Sequence, residues 1–182
     1  MDALQAISKR RSIRSYKNEQ IPDSALEKIL AAGSCAPVAG SFQMSVIQNP
    51  ELLKKINDIT KKAMLSSGIP FSVERASLPG YEPLYGAPTL IVLFSPEGSP
   101  TGPANASCAA ENMLIAATAL GLGSCYLASP RMAFDGEDGA ALAREAGIPE
   151  GFSFNCAVIV GYTKDDKLFS RNREDIKITY IK

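Results

Sequence analysis

"ANASCAAENMLIAATALGLG", residues 104–123, decides the fold class, because it has helical character and is small or apolar on most of its circumference. Such a helix has no wet face to offer to solvent, so it must be covered, either at the centre of the monomer or at a subunit contact. Gly121 and Gly123 stop it and make a tight turn into the next strand. On either side lie "PTLIVLF" (88–94) and "FNCAVIVGY" (154–162), continuous apolar runs with β-branched residues. Runs of that kind fit central strands covered on both faces. A buried helix between buried strands reads as α+β, with helices against a small sheet.

The remaining segments fill in this outline. Residues 2–9 form a short helix with Asp2 as cap and Leu4 and Ile7 on one side. In "IPDSALEKILAAGSCAP" (21–37), Ser24 and Glu27 read as a capping box, Leu26, Ile29 and Leu30 as an apolar stripe, and Gly33 as the left-handed stop. "FQMSVIQ" (42–48) reads as a strand, and the helix after it starts with Asn49 as cap and Pro50 in the first turn. Residues 65–86 mix proline and glycine without a sustained period and read as a long loop, a place where lids are common. A short helix over 138–146 ends at Gly147 and Pro149, and a polar tail from Tyr162 closes in a strand. No repeat, low-complexity tract or linker divides the chain, so residues 1–182 are read as one domain.

Composition excludes several chemistries. Lysine and arginine number 19, as do aspartate and glutamate, so no broad field for nucleic acid or an anionic membrane exists. The N-terminus lacks a signal-peptide core and nowhere do eighteen apolar residues run together, so a cytoplasmic location is expected. The four cysteines form no CxxC pair, and Cys108 and Cys156 lie in apolar surroundings, which reads as buried thiols in a reducing compartment. There is no histidine. That removes Ser/His and Cys/His nucleophile pairs and most zinc and iron sites, so the hard chemistry of an enzyme would fall to a bound group.

The local exception to charge balance is "KRRSIRSY", residues 9–16. If residues 10–14 are extended, Arg10, Ser12 and Arg14 point the same way and make an anion clamp, since each guanidinium offers two parallel donors to phosphate oxygens. A solvated turn behind a helix C-terminus is the other reading of the same residues. Lys167, Arg171 and Arg173 form a second basic group, which alone reads as solvated surface. No GxxxxGK[ST] is present, and "GLGSC" (121–125) follows a helix, so neither glycine-rich phosphate loop applies.

Taken together, "RRSIRSY", "IPDSALEKILAAGSCAPVAGSFQ", "GAPTLIVLF", "ASCAAENMLIAATALGLGSCYL" and "AGIPEGFSFNCAVIVGY" resemble, in order, the blocks of the nitroreductase family of FMN-dependent oxidoreductases. The resemblance implies an α+β fold with a central mixed sheet flanked by helices, and a homodimer with two FMN molecules in clefts at the subunit interface. The helix at 106–120 would then be dimer core. It implies that Arg10, Arg11, Ser12 and Arg14 contact phosphate and ribityl oxygens, with Arg171 or Arg173 completing the clamp. It implies that Pro37, Val38, Ala39, Ser41 and Gln43 reach the flavin from the partner subunit. Val38 and Ser41 depart from the serine and asparagine usual there, and for Pro37 and Gly40 a plain helix-to-strand turn is an equal reading. Leu127, Ala128 and Ser129 fall where the family aims backbone N–H groups at the flavin ring. Asn112 matches a commonly polar helix position, or else bonds to backbone.

The activity implied is hydride transfer from NAD(P)H to flavin and then to an acceptor occupying the same place: a nitroaromatic, a quinone or a related compound. Phe71, Tyr81 and Tyr85 of the 65–86 segment would line the acceptor pocket, or pack the lid itself. Reductive dehalogenation or flavin fragmentation, and non-catalytic storage or sensing of FMN, are the alternatives.

Overall fold

The computed structural model describes residues 1–164 and 176–182. Seven helices and four strands follow one another in these residues: α1 (Ala3–Lys9), α2 (Asp23–Ser34), β1 (Gln43–Ile47), α3 (Pro50–Ser66), α4 (Pro70–Ala76), β2 (Thr89–Pro96), α5 (Gly102–Ala119), β3 (Gly123–Leu127), α6 (Arg131–Phe134), α7 (Gly139–Glu145) and β4 (Phe152–Gly161). The strands form one sheet in the order β1-β2-β4-β3. Every ladder is antiparallel. The parallel component is the bridge from Ser12 to Ser124, which lays the basic segment along the β3 edge.

Both faces of the sheet are covered, which is why β2 and β4 read as unbroken apolar runs although their neighbours are antiparallel. Leu90, Val92 and Phe94 of β2 join a core with Leu53 and Ile56 of α3, Phe134 of α6 and Leu142 of α7. Ile91 and Leu93 point the other way, into a core with Ile29 of α2 and Ala106, Ala109, Ala110, Met113 and Ala117 of α5. Asn155 is the extra residue of a bulge at the Leu93/Phe94 register shift, and its Nδ2 donates to Ser95 Oγ at 2.8 Å.

Helix α5 therefore lies at the centre of the single chain. Its inner small residues are covered within the chain, while Ala104, Ser107, Cys108 and Ala119 are exposed. Its close neighbour is α2, where Gly33 is a packing position inside the helix, not the left-handed stop: a Cβ there would sit 3.0 Å from Met113 Cγ. Gly121, with φ +76°, does take the left-handed stop, after α5.

Other local expectations change as well. Asp23 begins α2 behind Pro22 with no side-chain cap, so Ser24 and Glu27 do not form a box. Asn49 caps α3 as its sequence signal says, accepting from Leu52 N–H at 3.0 Å. The segment 65–86 is not a continuous loop. α3 runs into it, and Pro70, which suits the first helical turn, starts α4. On α1 the buried residue is Ala6, while Leu4 (79% exposed) and Ile7 are open. Cys108 is exposed along with Cys35, and the buried thiols are Cys125 and Cys156. In the tail, residues 176–182 carry no strand.

Candidate functional site

The basic segment is extended, as its alternation requires. Ile13 N–H donates to Ser124 O at 2.9 Å, Lys17 N–H to Tyr162 O at 2.8 Å, and Lys164 N–H to Ser15 O at 3.1 Å. Buried Tyr16 anchors it from within, its hydroxyl donating to Ile13 O at 2.9 Å, and burial pushes that phenol up, so it stays a neutral donor. Gly123 makes the approach possible, because a Cβ there would meet Ile13 Cγ2 at 3.0 Å.

The three arginines of this segment have different surroundings. Arg10 Nε pairs with Glu111 Oε1 of α5 at 3.2 Å, a half-exposed carboxylate that can give way to a stronger anion. Arg11 Nη1 donates to Ser8 O at 2.7 Å and Arg10 O at 2.8 Å, which ties it to the end of α1. Among the described residues, Arg14 has no carboxylate within ion-pair distance. Its guanidinium carbon stands 6.0 Å from the Tyr85 ring centroid.

Arg14, Tyr81 and Tyr85 line one cleft of about 620 Å³ with Ser15, Asn18, Leu78 and Lys164, a size within the ~300–1,000 Å³ usual for small-molecule sites. Tyr81 and Tyr85 meet edge to face with centroids 5.8 Å apart. Arg75 supports both: its Nη2 donates to Tyr85 Oη at 2.7 Å and its guanidinium carbon lies 5.3 Å from the Tyr81 ring. Tyr85 takes φ +53°, a conformation a bulky residue adopts only when held there. Sequence reasoning missed Arg75; its signal was an arginine four residues after Phe71 in a segment otherwise short of cations. Phe71, on α4, is 69% exposed and is not among the cleft's lining residues.

Cys125 lies beside the segment on β3. Burial raises its thiol, and the nearby Arg14, a hydrogen bond with Ser12 and Arg10 pull it only partly back. A protonated thiol under arginines is not a nucleophile. Beyond β3, the N–H groups of Ala128 and Ser129 meet no acceptor among the described residues, whereas their carbonyls accept from Arg131 and Met132 N–H at 3.1 and 3.0 Å. Leu127 is buried and ends the strand.

The segment 36–43 lies apart from this cleft. Pro37, Val38, Ala39 and Ser41 are exposed, as is Gln43 at the start of β1. Ala39 is bonded to Asn105 and Thr101, and Gly40 has φ +85°. Asn112 Nδ2 donates to Ala32 O at 3.1 Å, bonding to the backbone of the neighbouring helix. Lys167, Arg171 and Arg173 lie outside the described residues. Among the described residues no cluster of acids and cysteines could hold a metal ion, and no helix is long and apolar enough to cross a membrane.

This donor set fits a phosphorylated planar cofactor. Among the described residues, a guanidinium without a carboxylate partner and a serine on one extended edge suit a phosphomonoester, and the two unmatched N–H groups beyond β3 suit a ring that gains negative charge.

The sequence profile of the nitroreductase family matches residues 7–162. A protein of Archaeoglobus fulgidus provisionally named NADH dehydrogenase/NAD(P)H nitroreductase is 34% identical over 177 residues, covering 92% of this chain and 89% of its own. The crystal structure of a nitroreductase with bound FMN from Bacteroides fragilis is 29% identical with a TM-score of 0.89. A second, from Desulfitobacterium hafniense and also with bound FMN, is 26% identical with a TM-score of 0.90. Both cover the whole of this chain and of their own.

Proposed function

The chain belongs to the nitroreductase family, and on that premise we propose that it is an FMN-dependent NAD(P)H oxidoreductase that reduces nitroaromatic, quinone or related acceptors as a homodimer. The observation that carries this reading is the extended edge at 10–14, which brings Arg14, without a carboxylate partner among the described residues, into a cleft walled by Tyr81 and Tyr85. Bound FMN would supply the hydride acceptor and electron sink that amino-acid side chains do not provide.

Arg14, Ser12 and Arg10 would hold the phosphate and ribityl oxygens of FMN, Arg10 being paired with the half-exposed Glu111 in its absence. Arg11 holds the segment to α1. The N–H groups of Ala128 and Ser129 would donate to the flavin ring and favour its negatively charged reduced form. Tyr81 and Tyr85, held by Arg75, exclude water and shape the acceptor's place. Pro37, Val38, Ala39, Ser41 and Gln43 contact the flavin of the partner subunit, and Arg171 or Arg173 completes the anion site. Exposed Leu4, Ile7, Val38, Ile178 and Ile181 support a subunit contact that would cover them. The unpaired buried thiols Cys125 and Cys156 suit a reducing cytoplasm.

The test is reconstitution with FMN followed by anaerobic addition of NADPH or NADH. Bleaching of the flavin band, reversed by a nitroaromatic or a quinone, is expected. A yellow protein that neither donor bleaches would make it a flavin binder and not an enzyme.

A further inference from the structure

The turn at 38–41 hangs on one buried amide. Asn105, in the first turn of α5, is 4% exposed and sits in a helix whose inner face is otherwise alanine, methionine and leucine. Its Oδ1 accepts from Ala39 N–H at 3.2 Å and its Nδ2 donates to Ala39 O at 2.8 Å. Thr101 Oγ1 donates to the same oxygen at 2.6 Å. Two side chains from the start of α5 thus satisfy the whole backbone of one residue in an exposed loop.

The arrangement works in both directions. A buried amide left half-bonded is costly, so Asn105 is satisfied only while Ala39 stays in place. Ala39 in turn has no other backbone partner in this loop, and Gly40, at φ +85°, lets the chain leave at an angle that side chains resist. Val38 and Ser41 flank the pinned residue, and both are exposed, with no hydrogen-bonded side-chain partner among the described residues. A rigid support beneath outward-facing residues is what a contact surface needs.

We propose that Asn105, seconded by Thr101, is a positioning residue that fixes the Val38–Ser41 turn for contact with FMN held by the partner subunit. The inference rests on the reading above that this segment reaches a partner's flavin. Asn105 itself touches no cofactor; it acts through Ala39.

The experiment compares Asn105→Ala, Thr101→Val and Thr101→Ser with the parent protein. Hydrogen exchange of the peptide covering 36–43 reports the turn in the apoprotein, and quenching of FMN fluorescence reports affinity. Losing the amide should speed exchange at Ala39 and weaken FMN binding, each by about tenfold. Thr101→Val should move both in the same direction by less, and Thr101→Ser should restore both. Thr101 is only partly buried, so its pair of variants carries the test if Asn105→Ala does not fold. Unchanged exchange at 36–43 overturns the clamp. Faster exchange with unaltered FMN affinity overturns its role toward the cofactor. A parent protein that binds no FMN overturns the proposed function first, and this inference with it.

Discussion

Replacing Gly102 by alanine tests the contact that seats the start of α5 on the sheet. A Cβ on Gly102 would overlap Ser95 Oγ, and it would lie 2.8 Å from Ser95 Cβ and 3.3 Å from Ser99 Cβ. Rotating Ser95 away relieves the first clash but gives up the hydrogen bond from Asn155 at the β4 bulge, about 1 kcal/mol. No rotation relieves the Cβ–Cβ contact, so the end of α5 must withdraw, at roughly 1–3 kcal/mol for overpacking. The gain in helix propensity, about 0.5–1 kcal/mol, offsets part of this. The net is about 2 kcal/mol of destabilisation, and a chain of this size should lose about 4–8 °C in Tm. Thermal melting of the apoprotein by circular dichroism measures it. Ser95→Gly in the same chain removes both obstructing atoms, so the double variant should melt higher than the two single losses added together. Gly102→Ala melting level with the parent, or strict additivity with Ser95→Gly, would refute the reasoning.

Burial pushes the Cys156 thiol from its ordinary 9.0 up to about 11. The folded state therefore resists forming the thiolate, so this stability is intact below pH 9 and is lost as pH rises toward 11, about 3 kcal/mol in all. Urea melts across that range should show a gentler alkaline decline in Cys156→Ala, and identical slopes would contradict the assignment. Arg75→Ala, by freeing Tyr85 and Tyr81, should raise the acceptor KM about fivefold with kcat nearly constant. Tyr85→Phe, which removes the same hydrogen bond, should reproduce the change in steady-state assays; a drop confined to kcat would argue against a positioning role.

The parts of the fold legible in the sequence are those where one physical demand dominates. The helix at 104–123 is apolar enough to demand cover over most of its length, and the runs at 88–94 and 154–162 could not be edge strands. Asn49 with Pro50 has one common use, and the structure has it. The misreadings arise where two demands compete. Ser24 and Glu27 match a box, but Pro22 with its fixed φ takes the cap position and starts the helix two residues earlier. Gly33 looks like a stop until Met113 is seen against it, a contact between residues eighty positions apart. Pro70 contributes to the proline and glycine content that makes 65–86 read as a loop, yet it stands at a helix start.

The site divides in the same way. Alternation along 10–14 was readable because an extended edge has period two. That Arg11 turns back to the Ser8 and Arg10 carbonyls, while Arg14 meets no carboxylate among the described residues, depends on which groups the fold brings near. Asn105 went unnoticed, although an amide in an otherwise apolar buried helix already asks for a partner. Its partner, Ala39, has a side chain without chemistry, and no residue pattern marks a backbone as the target.

The central claim is that the edge at 10–14 recognises a phosphate. The measurement that reaches it most directly is the ratio of FMN to riboflavin affinity, taken on the apoprotein and on Arg14→Ala. Two charge-assisted contacts should favour FMN by about a hundredfold or more in the parent. Arg14→Ala should cut that ratio by at least about tenfold, with riboflavin affinity little changed and a shallower dependence on salt. Equal affinity for the two flavins in the parent, or a ratio untouched by the substitution, would contradict it.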